Sequence, residues 1–364
     1  MSGTSLDAVD AAAILTDGTK ILEFGPVAER SYTAQERHIL AEAVRAARDW
    51  NWIGDPPEAE FQKARNVLTG THIDAFAEIV SKSASEKRPE FVGVHGQTVL
   101  HRAPVGEQKG ATLQVVDAQA MASAFGIPVY YDFRSADVEA SGQGAPLAPV
   151  YHQALSFAQP KPIAVLNLGG VANLTYIADG DEILGFDCGP ANGPVDEWVE
   201  GHDKGRFDQD GAGAAAGHVH EHLLTQWLNH PFFGEALPKS LDRYDFNASL
   251  ARGLSYEDGC ATLTAFSAAS VALGLTLFPQ KVRKVIVCGG GRRNPVLMQE
   301  LKNRCGCQVV SAEEEGWRGD SIEAEAFAFL AARSRHGLPI SFPGTTGVVA
   351  PLTGGRVALP KRDQ

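Results

Sequence analysis

The stretch PIAVLNLGGVANLTYIADGDEILGFDCGPANGPVDEW, residues 162–198, decides the fold that we expect for this chain. Its three apolar runs are separated by turn-forming residues, which predicts strand, glycine turn, strand, hairpin turn, strand, and a second turn that leads into a helix. The first run ends at Gly169-Gly170, where bare main-chain amides can approach a phosphate closely. Residues 162–198 therefore predict an α/β unit with an anion-binding turn.

Asp187 follows the third apolar run, 183–186, just before Cys188-Gly189-Pro190. A carboxylate at the end of a strand, one hairpin away from a phosphate-binding turn, suits a general base that faces a nucleotide. The alternative is that Asp187 caps the turn or the helix that follows it. The local pattern by itself leaves both interpretations open.

Length and charge narrow the class of protein. A chain of 364 residues exceeds one ordinary core and predicts about two domains. The 32 basic and 44 acidic residues give a net charge of -12, which argues against partners such as nucleic acid or anionic membranes. The amino terminus lacks a basic segment followed by an apolar core, and no apolar run reaches about 18 residues. We therefore expect a cytoplasmic protein.

The cysteines are five in number and scattered through the chain, which argues against a disulfide framework. Cys305 and Cys307 flank a glycine, but no second Cys or His pair lies nearby at zinc spacing. We expect free thiols.

The first ten residues, MSGTSLDAVD, form a small loop that is rich in hydroxyl groups and carboxylates. Gly3, Thr4 and Ser5, with Asp7 and Asp10 just beyond, suit phosphate and magnesium, although the same residues also make an ordinary turn. Such a loop normally follows a strand, and none precedes it here. We expect that the sequence begins inside the natural protein or that an edge strand has been lost. Either way, the 364 residues alone should show reduced stability or activity.

The next segments predict helices and a polar strand end. Residues 34–49 and 58–84 have helical periodicity, with a possible break at Gly70. Residues 91–102 predict a short strand that ends at His95-Gly96-Gln97-Thr98. Ligands commonly bind at such strand ends in α/β proteins, although a lone His is also often a packed or capping residue.

Residues 127–133 predict a strand that leads into Arg134. The guanidinium group matches a carboxylate in shape, so Arg134 is a candidate clamp for an anionic substrate, with a surface salt bridge as the alternative. Because the pattern changes here from helix-rich to strand-rich, we predict one domain over 1–126 with 338–364 and a second over 127–337.

Three later segments complete the pattern. PKSLDRYDF, 238–246, predicts a positively charged loop that could close over a site. KVIVCGGGRRNPVLMQEL, 284–301, predicts a strand, a triple-glycine turn that allows close approach of a ligand, and a helix from Asn294 or Pro295. A further helix starts near 319, where Asp320 and Glu323 suit a capping arrangement.

Together these pieces resemble the anhydro-N-acetylmuramic acid kinase family. The resemblance rests on motifs that occur in the family's order: MSGTSLDAVD (1–10), HGQT (95–98), DFRSAD (132–137), GQGAPL (142–147), LNLGGVANLT (166–175), GFDCGPAN (185–192), PKS (238–240), CGGGRRN (288–294) and EAEAFAFLA (323–331). It implies a two-domain actin-like ATPase fold, with two ribonuclease-H-like domains around an ATP cleft. It also implies the cofactors ATP and Mg²⁺, and allows a homodimer.

The resemblance implies roles for particular residues. Asp187 would be catalytic, Mg²⁺ would be carried mainly by the ATP phosphates with Asp7 as a candidate ligand, and the sugar would be bound by His95, Gln97, Arg134 and Glu323. Arg134 would approach the lactyl carboxylate, and Glu323 would help to hold the sugar or water. The residues expected to bind ATP are Gly3, Thr4, Ser5, Leu6, Asp7, Ala8, Val9, Asp10, Gly169, Gly170, Asn173, Gly289, Gly290 and Gly291.

The implied reaction is hydrolytic opening of the 1,6-anhydro ring of anhydro-N-acetylmuramic acid, with phosphorylation of the released 6-oxygen during cell-wall recycling. Two alternatives stay open: a kinase of a neutral anhydrosugar such as levoglucosan, and a non-catalytic ATP-binding sensor. The chain departs from the family's pattern at four positions besides the missing strand. The family usually has Gly at Ala8, often Gly at Ala191, and in many members Arg at Ser135 and Ala136.

Overall fold

A computed structural model describes residues 1–3, 6–104, 106, 108–180, 182–241 and 245–361. The chain divides into unit 1, Met1–Phe157 with Ser321–Gln364, and unit 2, Ala158–Asp320. The domain limits expected from the sequence are therefore wrong in position, since 127–157 and 321–337 lie in unit 1. The physical reason is strand pairing: the strand near residue 130 pairs with a strand at residues 92–93 and with another near the carboxyl terminus.

The strands and helices are numbered along the chain. The strands are β1 Ala8–Thr16, β2 Ile21–Ser31, β3 Val92–Gly93, β4 Gln97–Arg102, β5 Ala111–Val115, β6 Val129–Tyr131, β7 Ile163–Leu168, β8 Val171–Ile177, β9 Ile183–Pro190, β10 Lys284–Cys288, β11 Gln308–Ser311 and β12 Arg356–Ala358. The helices are α1 Ala34–Trp50, α2 Glu58–Lys82, α3 Ala118–Phe125, α4 Ser135–Glu139, α5 Pro149–Leu155, α6 Gly193–Gly201, α7 Ala212–Ala216, α8 Glu221–Trp227, α9 Tyr256–Leu275, α10 Pro295–Arg304, α11 Ile322–Arg335 and α12 Pro343–Thr346.

Unit 2 is built on a five-stranded sheet in the order β11-β10-β7-β8-β9. β7, β8 and β9 form an antiparallel meander, whereas β10 runs parallel to both β7 and β11. The sequence dictates this position for β7, because five of its six residues are buried and such a run needs cover on both faces. The predicted order from strand to helix over 162–198 is confirmed, although β9 continues to Pro190 rather than ending at Asp187.

Unit 1 has its strands in three separate sheets among the described residues: β1-β2, β12-β6-β3 and β4-β5. The strand predicted over 91–102 is therefore wrong as one element. The chain turns at Gly96, whose φ is +77°, so that β3 and β4 belong to different sheets. The helix predicted near 58–84 has no break at Gly70, because one glycine costs a long helix only about 1 kcal/mol.

Helix α9 is the core helix of unit 2. By length and composition it could cross a membrane, but 72% of its apolar window is buried within the protein. It packs against α7, α10 and β9. All five cysteines lie in the described part of the chain, and none of them forms a disulfide, as expected.

Candidate functional site

Three polar side chains stand in a row across the sheet of unit 2. Asn167 on β7 is the direct partner of Asn173 on β8, and Asn173 is the direct partner of Asp187 on β9. Directly paired residues point to the same face, so the three side chains lie side by side. Each is partly exposed among buried neighbours. The sequence reasoning missed Asn167, although a polar residue inside the apolar run IAVLNL was its signal.

The carboxylate of Asp187 is held by the segment 238–241. The amide of Leu241 donates to Asp187 Oδ2 at 2.9 Å, and the amide of Asp187 donates to the carbonyl of Lys239 at 3.0 Å. The N-cap position of α6 is Asn192, and no side chain makes a capping hydrogen bond there, so the capping alternative for Asp187 at that helix is wrong. Asp187 itself is partly exposed.

Lys239 anchors the segment 238–241 through its side chain. Its ammonium group is buried, with the side chain only 4% exposed, and it donates to the carbonyls of Phe232 at 2.9 Å and Phe233 at 3.3 Å. Burial lowers the pKa of Lys239. The sequence predicted a positively charged loop here, and the charge of Lys239 is directed into unit 2, where it bonds to main-chain carbonyls. Residues 242–244 of the loop lie outside the described part of the chain.

The turn Gly169-Gly170 joins β7 to β8. Its carbonyls are taken up by the connection from β9 to α6: the amide of Asn192 donates to Gly169 at 3.0 Å, and the amides of Ala191 and Gly193 each donate to Gly170 at 3.1 Å. A side chain added at Gly170 would meet nothing within 4 Å. The turn is thus fixed on its carbonyl side and open above its second glycine, which suits an anionic group.

The triple glycine follows β10 and leads through a short 3-10 turn into α10, which begins at Pro295 with Asn294 as its cap, as predicted. Gly289 has φ +76°, and a Cβ there would lie 2.3 Å from Asn167 Oδ1. A Cβ on Gly291 would lie 2.7 Å from the Leu168 side chain, whereas one on Gly290 would meet nothing. Packing inside unit 2 therefore requires glycine at Gly289 and Gly291, whereas the space beside Gly290 is open.

His95 and Arg134 are bonded to each other in unit 1. Arg134 Nε donates to His95 Nε2 at 3.0 Å, and Arg134 Nη1 donates to the carbonyl of Gly144 at 2.6 Å. Burial, and then the neighbouring guanidinium, hold the pKa of His95 well below its usual value. His95 is therefore neutral, and its Nδ1 donates to the Gly96 carbonyl at 2.9 Å. Arg134 is half-buried.

Asp137 holds the loop whose Gly144 carbonyl accepts the hydrogen bond from Arg134. Its side chain is 1% exposed, and its Oδ1 accepts from the amide of Gly144 at 2.6 Å. Thr346 Oγ1 donates to the other carboxylate oxygen. A Cβ on Gly142 would lie 2.2 Å from Asp137 Oδ1, so the motif GQGAPL needs glycine at this position. Asp137 thus supports the clamp, a role that the sequence reasoning did not assign.

The first loop is only partly described, since Thr4 and Ser5 lie outside the described residues. The amide of Leu6 donates to Gly3 at 3.3 Å, and Asp7 is exposed. Ala8 and Val9 are buried at the start of β1, so their side chains face the core. Ala8 is absent from the positive-φ positions, so its backbone does not need the glycine found in the family.

Asp10 lies beside the amino terminus. Burial raises its pKa to about 6, against the favourable charge of the Met1 amine. Glu323, at the exposed start of α11, adds to the negative charge around Asp10. The cap of α11 is Ser321 without a side-chain hydrogen bond, so the capping arrangement considered for Asp320 and Glu323 is not formed.

Gln97 is buried and fixes the first loop. Its Oε1 accepts from Ser2 Oγ at 2.6 Å, and the hydroxyl of Tyr32 donates to the same Ser2 Oγ at 2.8 Å. Gln97 is 1% exposed, whereas Glu323 is exposed. The structure therefore groups Gln97 with the loop, and His95 with Arg134.

Metal-binding groups are sparse. Within the described ranges no cluster of three His, Cys, Asp or Glu side chains could hold a metal ion. Magnesium in proteins is commonly held by one or two carboxylates together with substrate phosphates, so the chain's own residues suit a metal that arrives with a nucleotide.

The sheet topology of unit 2 indicates the class of protein, and the match to a family model identifies the family. Unit 2 joins an antiparallel meander to two parallel strands, as in the ribonuclease-H-like domains of actin-like ATPases and sugar kinases. The model of the family described as anhydro-N-acetylmuramic acid kinase matches residues 1–359. The chain therefore belongs to the anhydro-N-acetylmuramic acid kinase family.

Two of the chain's relatives carry the family's name. A protein named anhydro-N-acetylmuramic acid kinase from Rhizobium rhizogenes is 50% identical over 98% of this chain and 97% of its own length. One of the same name from Caulobacter vibrioides is 48% identical over 98% of this chain and 97% of its own. A solved ROK family glucokinase from Streptomyces griseus, in complex with glucose and AMPPNP, has a TM-score of 0.38 and 14% identity, covering 89% of this chain and 98% of that one.

Proposed function

We propose that this protein is an ATP-dependent kinase that opens the 1,6-anhydro ring of 1,6-anhydro-N-acetylmuramic acid with water and phosphorylates the 6-oxygen. The products are N-acetylmuramic acid 6-phosphate and ADP. The observation that carries the proposal is the partly exposed Asp187, paired with Asn173 and fixed by the Leu241 amide, in a chain of this family.

Asp187 acts as the general base in this scheme. The 6-oxygen of the substrate is an ether and carries no proton, so the base must act on water. Asp187 accepts a proton from water as the water oxygen bonds to the anomeric carbon, and the bond from that carbon to the 6-oxygen breaks. The electron pair left on the 6-oxygen forms the bond to the γ-phosphorus, and the bond to the ADP oxygen breaks.

In unit 2, ATP is held by the glycine turns. The open space over Gly170 supports phosphate binding, and the open space over Gly290 supports a contact with adenosine. Asn173 lies beside Asp187, so it would orient the water or a phosphate oxygen. Gly169, Gly289 and Gly291 act by shaping the backbone, because added side chains would not fit at the last two.

In unit 1, we assign phosphate contacts to the loop from Gly3 to Asp10 and sugar contacts to His95, Arg134 and Glu323. Asp7 is exposed and is the candidate carboxylate for Mg²⁺ carried by the ATP phosphates. Gln97 acts by holding Ser2 at the start of the loop. A neutral His95 that accepts from Arg134 leaves the guanidinium its positive charge for the lactyl carboxylate.

Mass spectrometry of the product formed in ¹⁸O-water tests the proposal. The label should enter the anomeric hydroxyl and be absent from the phosphate ester, since water attacks carbon and the 6-oxygen attacks phosphorus. Early time points are needed, because free sugars exchange the anomeric oxygen with water. ADP release with no dependence on the sugar, or label in the phosphate at those times, would contradict it.

A further inference from the structure

Strand β5 in unit 1 has an apolar face and a polar face. Val115 is 2% exposed and lies in the core of unit 1, and Leu113 packs against the same core. Because side chains alternate between the two faces of a strand, Thr112 and Gln114 point away from this core. Thr98 on β4 is the direct partner of Gln114 and lies on the same face. We call these three uncharged and partly exposed residues, Thr98, Thr112 and Gln114, the polar face of the hairpin.

The side chain of Gln114 is held in place by its neighbours on the polar face. Its Nε2 donates to Thr112 Oγ1 at 2.8 Å and to Thr98 Oγ1 at 3.3 Å, so both amide hydrogens are used. Its carbonyl oxygen, Oε1, accepts no hydrogen bond from the residues that the structure describes. Gln114 therefore presents an oriented hydrogen-bond acceptor.

The polar face adjoins His95, which is one member of the bonded pair of His95 and Arg134. His95 Nδ1 is hydrogen-bonded to the carbonyl of Gly96. A Cβ on Gly96 would lie 3.5 Å from the Cβ of Gln114 and 3.0 Å from the Cβ of Val116. Val116 is partly exposed. A hydrogen-bond acceptor and an apolar side chain therefore lie next to the glycine that is bonded to His95.

Arg134, the other member of the pair, is connected to the polar face through a second glycine. Arg134 Nη1 donates to the carbonyl of Gly144. A Cβ on Gly144 would lie 2.9 Å from Cε1 of His101. His101 Nδ1 is hydrogen-bonded to Thr112 Oγ1 at 3.0 Å, and the same Thr112 oxygen accepts from Gln114. The polar face is thus linked to both members of the pair to which we assign the lactyl carboxylate.

The proposed substrate has two substituents that bind side by side. The lactyl group is attached to the oxygen on C3 of the sugar ring, and the acetamido group is attached to C2, the adjacent carbon. The acetamido group is uncharged and offers one N–H donor and one methyl group. A matching subsite needs an acceptor and an apolar contact close to the residue that binds the carboxylate.

We propose that the polar face of the β4–β5 hairpin is the subsite for the 2-acetamido group of the sugar. Oε1 of Gln114 accepts a hydrogen bond from the acetamido N–H, and Val116 contacts the acetyl methyl group. Gln114 is thus a residue that determines specificity for an N-acetylated amino sugar. This inference rests on the proposed function and names the part of the substrate that the hairpin selects.

Steady-state kinetics with two sugars isolates this contact. One sugar is 1,6-anhydro-N-acetylmuramic acid, and the other is its 2-deoxy analogue, which keeps the anhydro ring and the lactyl group. The measured quantity is the preference, the ratio of kcat/KM for the acetamido sugar to kcat/KM for the deoxy sugar. The missing C2 group also changes the reactivity of the acetal, but this change is the same for every variant and cancels when variants are compared.

Gln114→Leu should lower the preference by about 5- to 30-fold, because the acetamido N–H loses its acceptor. Gln114→Thr suits a strand but is too short to reach the sugar, so it should lose the preference as well. Gln62→Leu, on the exposed side of α2, is the matched control and should keep the preference. Equal losses of kcat/KM for the two sugars in both Gln114 variants would overturn the proposal.

Gln114→Glu tests whether the acceptor oxygen is the group that matters. The glutamate keeps an oxygen at this place, and the hydroxyls of Thr98 and Thr112 can donate to it. Its negative charge repels the lactyl carboxylate of both sugars alike, so it does not alter the preference. Gln114→Glu should therefore retain most of the preference, and a loss as large as that of Gln114→Leu would contradict the role of Gln114 as an acceptor.

The apolar half of the subsite has its own test. Val116→Ala should lower the ratio of kcat/KM for the N-acetyl sugar to that for its N-formyl analogue by about two- to fourfold, as expected for the contact of one methyl group. Equal losses for the two amides would place the acetyl methyl group elsewhere. Thermal unfolding of each variant checks that the hairpin remains folded.

The same kinetics separate this inference from the proposed function. If the unaltered protein releases no ADP in response to either sugar, the proposed function fails, and the inference fails with it. If the unaltered protein turns over both sugars and Gln114→Leu reduces both equally, the proposed function stands and only the acetamido subsite is wrong.

Discussion

The main-chain amide of Leu241 donates to Oδ2 of Asp187 at 2.9 Å. The amide of Asp187 in turn donates to the carbonyl of Lys239, so the segment 238–241 is bonded to Asp187 at two points. The amide of Leu241 orients the carboxylate by one oxygen, and the partial exposure of Asp187 leaves it accessible to a small reactant. This arrangement suits a base whose position is set before the substrate binds.

Asp187→Asn should lower kcat by about 100- to 10,000-fold, because the amide accepts the Leu241 bond but takes no proton from water. Sugar-dependent ADP release measures kcat, and calorimetry should show ATP binding unchanged. Asp179→Asn, in the exposed hairpin turn between β8 and β9, is the matched control and should keep full activity. Near-normal turnover in Asp187→Asn would remove the base from the mechanism.

Lys239→Met should lower the free energy of unfolding by about 1–3 kcal/mol, since the carbonyls of Phe232 and Phe233 lose a buried donor. It should also lower kcat more than it changes KM for ATP, because the segment that orients Asp187 loosens. Urea unfolding and steady-state kinetics test this. Lys302→Met, on the exposed side of α10, should change neither quantity appreciably.

Gly289→Ala and Gly290→Ala should behave differently although they are neighbours. At Gly289 the φ of +76° and the contact with Asn167 should cost about 1–3 kcal/mol of unfolding free energy. Gly290→Ala should fold normally, because the added methyl meets nothing, but should raise KM for ATP if adenosine packs there. An unchanged KM for ATP would place the adenosine elsewhere.

Arg134→Leu should reduce kcat/KM for the lactyl-bearing anhydrosugar far more than for a neutral anhydrosugar such as levoglucosan. The expected difference is about 2–5 kcal/mol of transition-state stabilisation if the ion pair is buried. The variant loses the Arg134 contacts with His95 and Gly144 whichever sugar is used. The difference between the two sugars therefore measures the contact of Arg134 with the lactyl carboxylate. Arg45→Leu, on the surface of α1, is the control. Equal losses for the two sugars would separate Arg134 from the lactyl group.

His152 should make the protein less stable in acid. Burial lowers its pKa from 6.5 to about 4, so the unfolded chain binds this proton at a higher pH than the folded chain does. The stability is therefore complete above pH 6.5 and is lost as the pH falls toward 4, by up to about 1.4 kcal/mol per pH unit. Urea unfolding of His152→Gln should show a shallower acid slope, whereas Gln153→Asn should keep it. An unchanged slope in His152→Gln would contradict this assignment.

The strands and turns around the site could be predicted from local pattern. The run 163–168, the glycine pairs and Asn294-Pro295 are governed by nearest-neighbour chemistry, namely burial, backbone freedom and helix capping. The continuous helix α2 and the split at Gly96 were not predicted, because packing decided both. Asn167 was overlooked although it is a polar residue in an apolar run; its place beside Cys288 on β10, 121 positions away, is set only by strand pairing.

The sequence by itself determined the α/β class and the family motifs, because periodicity and turn chemistry are local and the motifs are contiguous. Only the tertiary structure decided that Leu241 orients Asp187, that Arg134 is bonded to a neutral His95, and that Asp137 supports the Gly144 loop. These contacts join residues that lie 54, 39 and 7 positions apart. Their existence depends on which strands become neighbours, and strand order is set by the burial of whole faces rather than by any one segment.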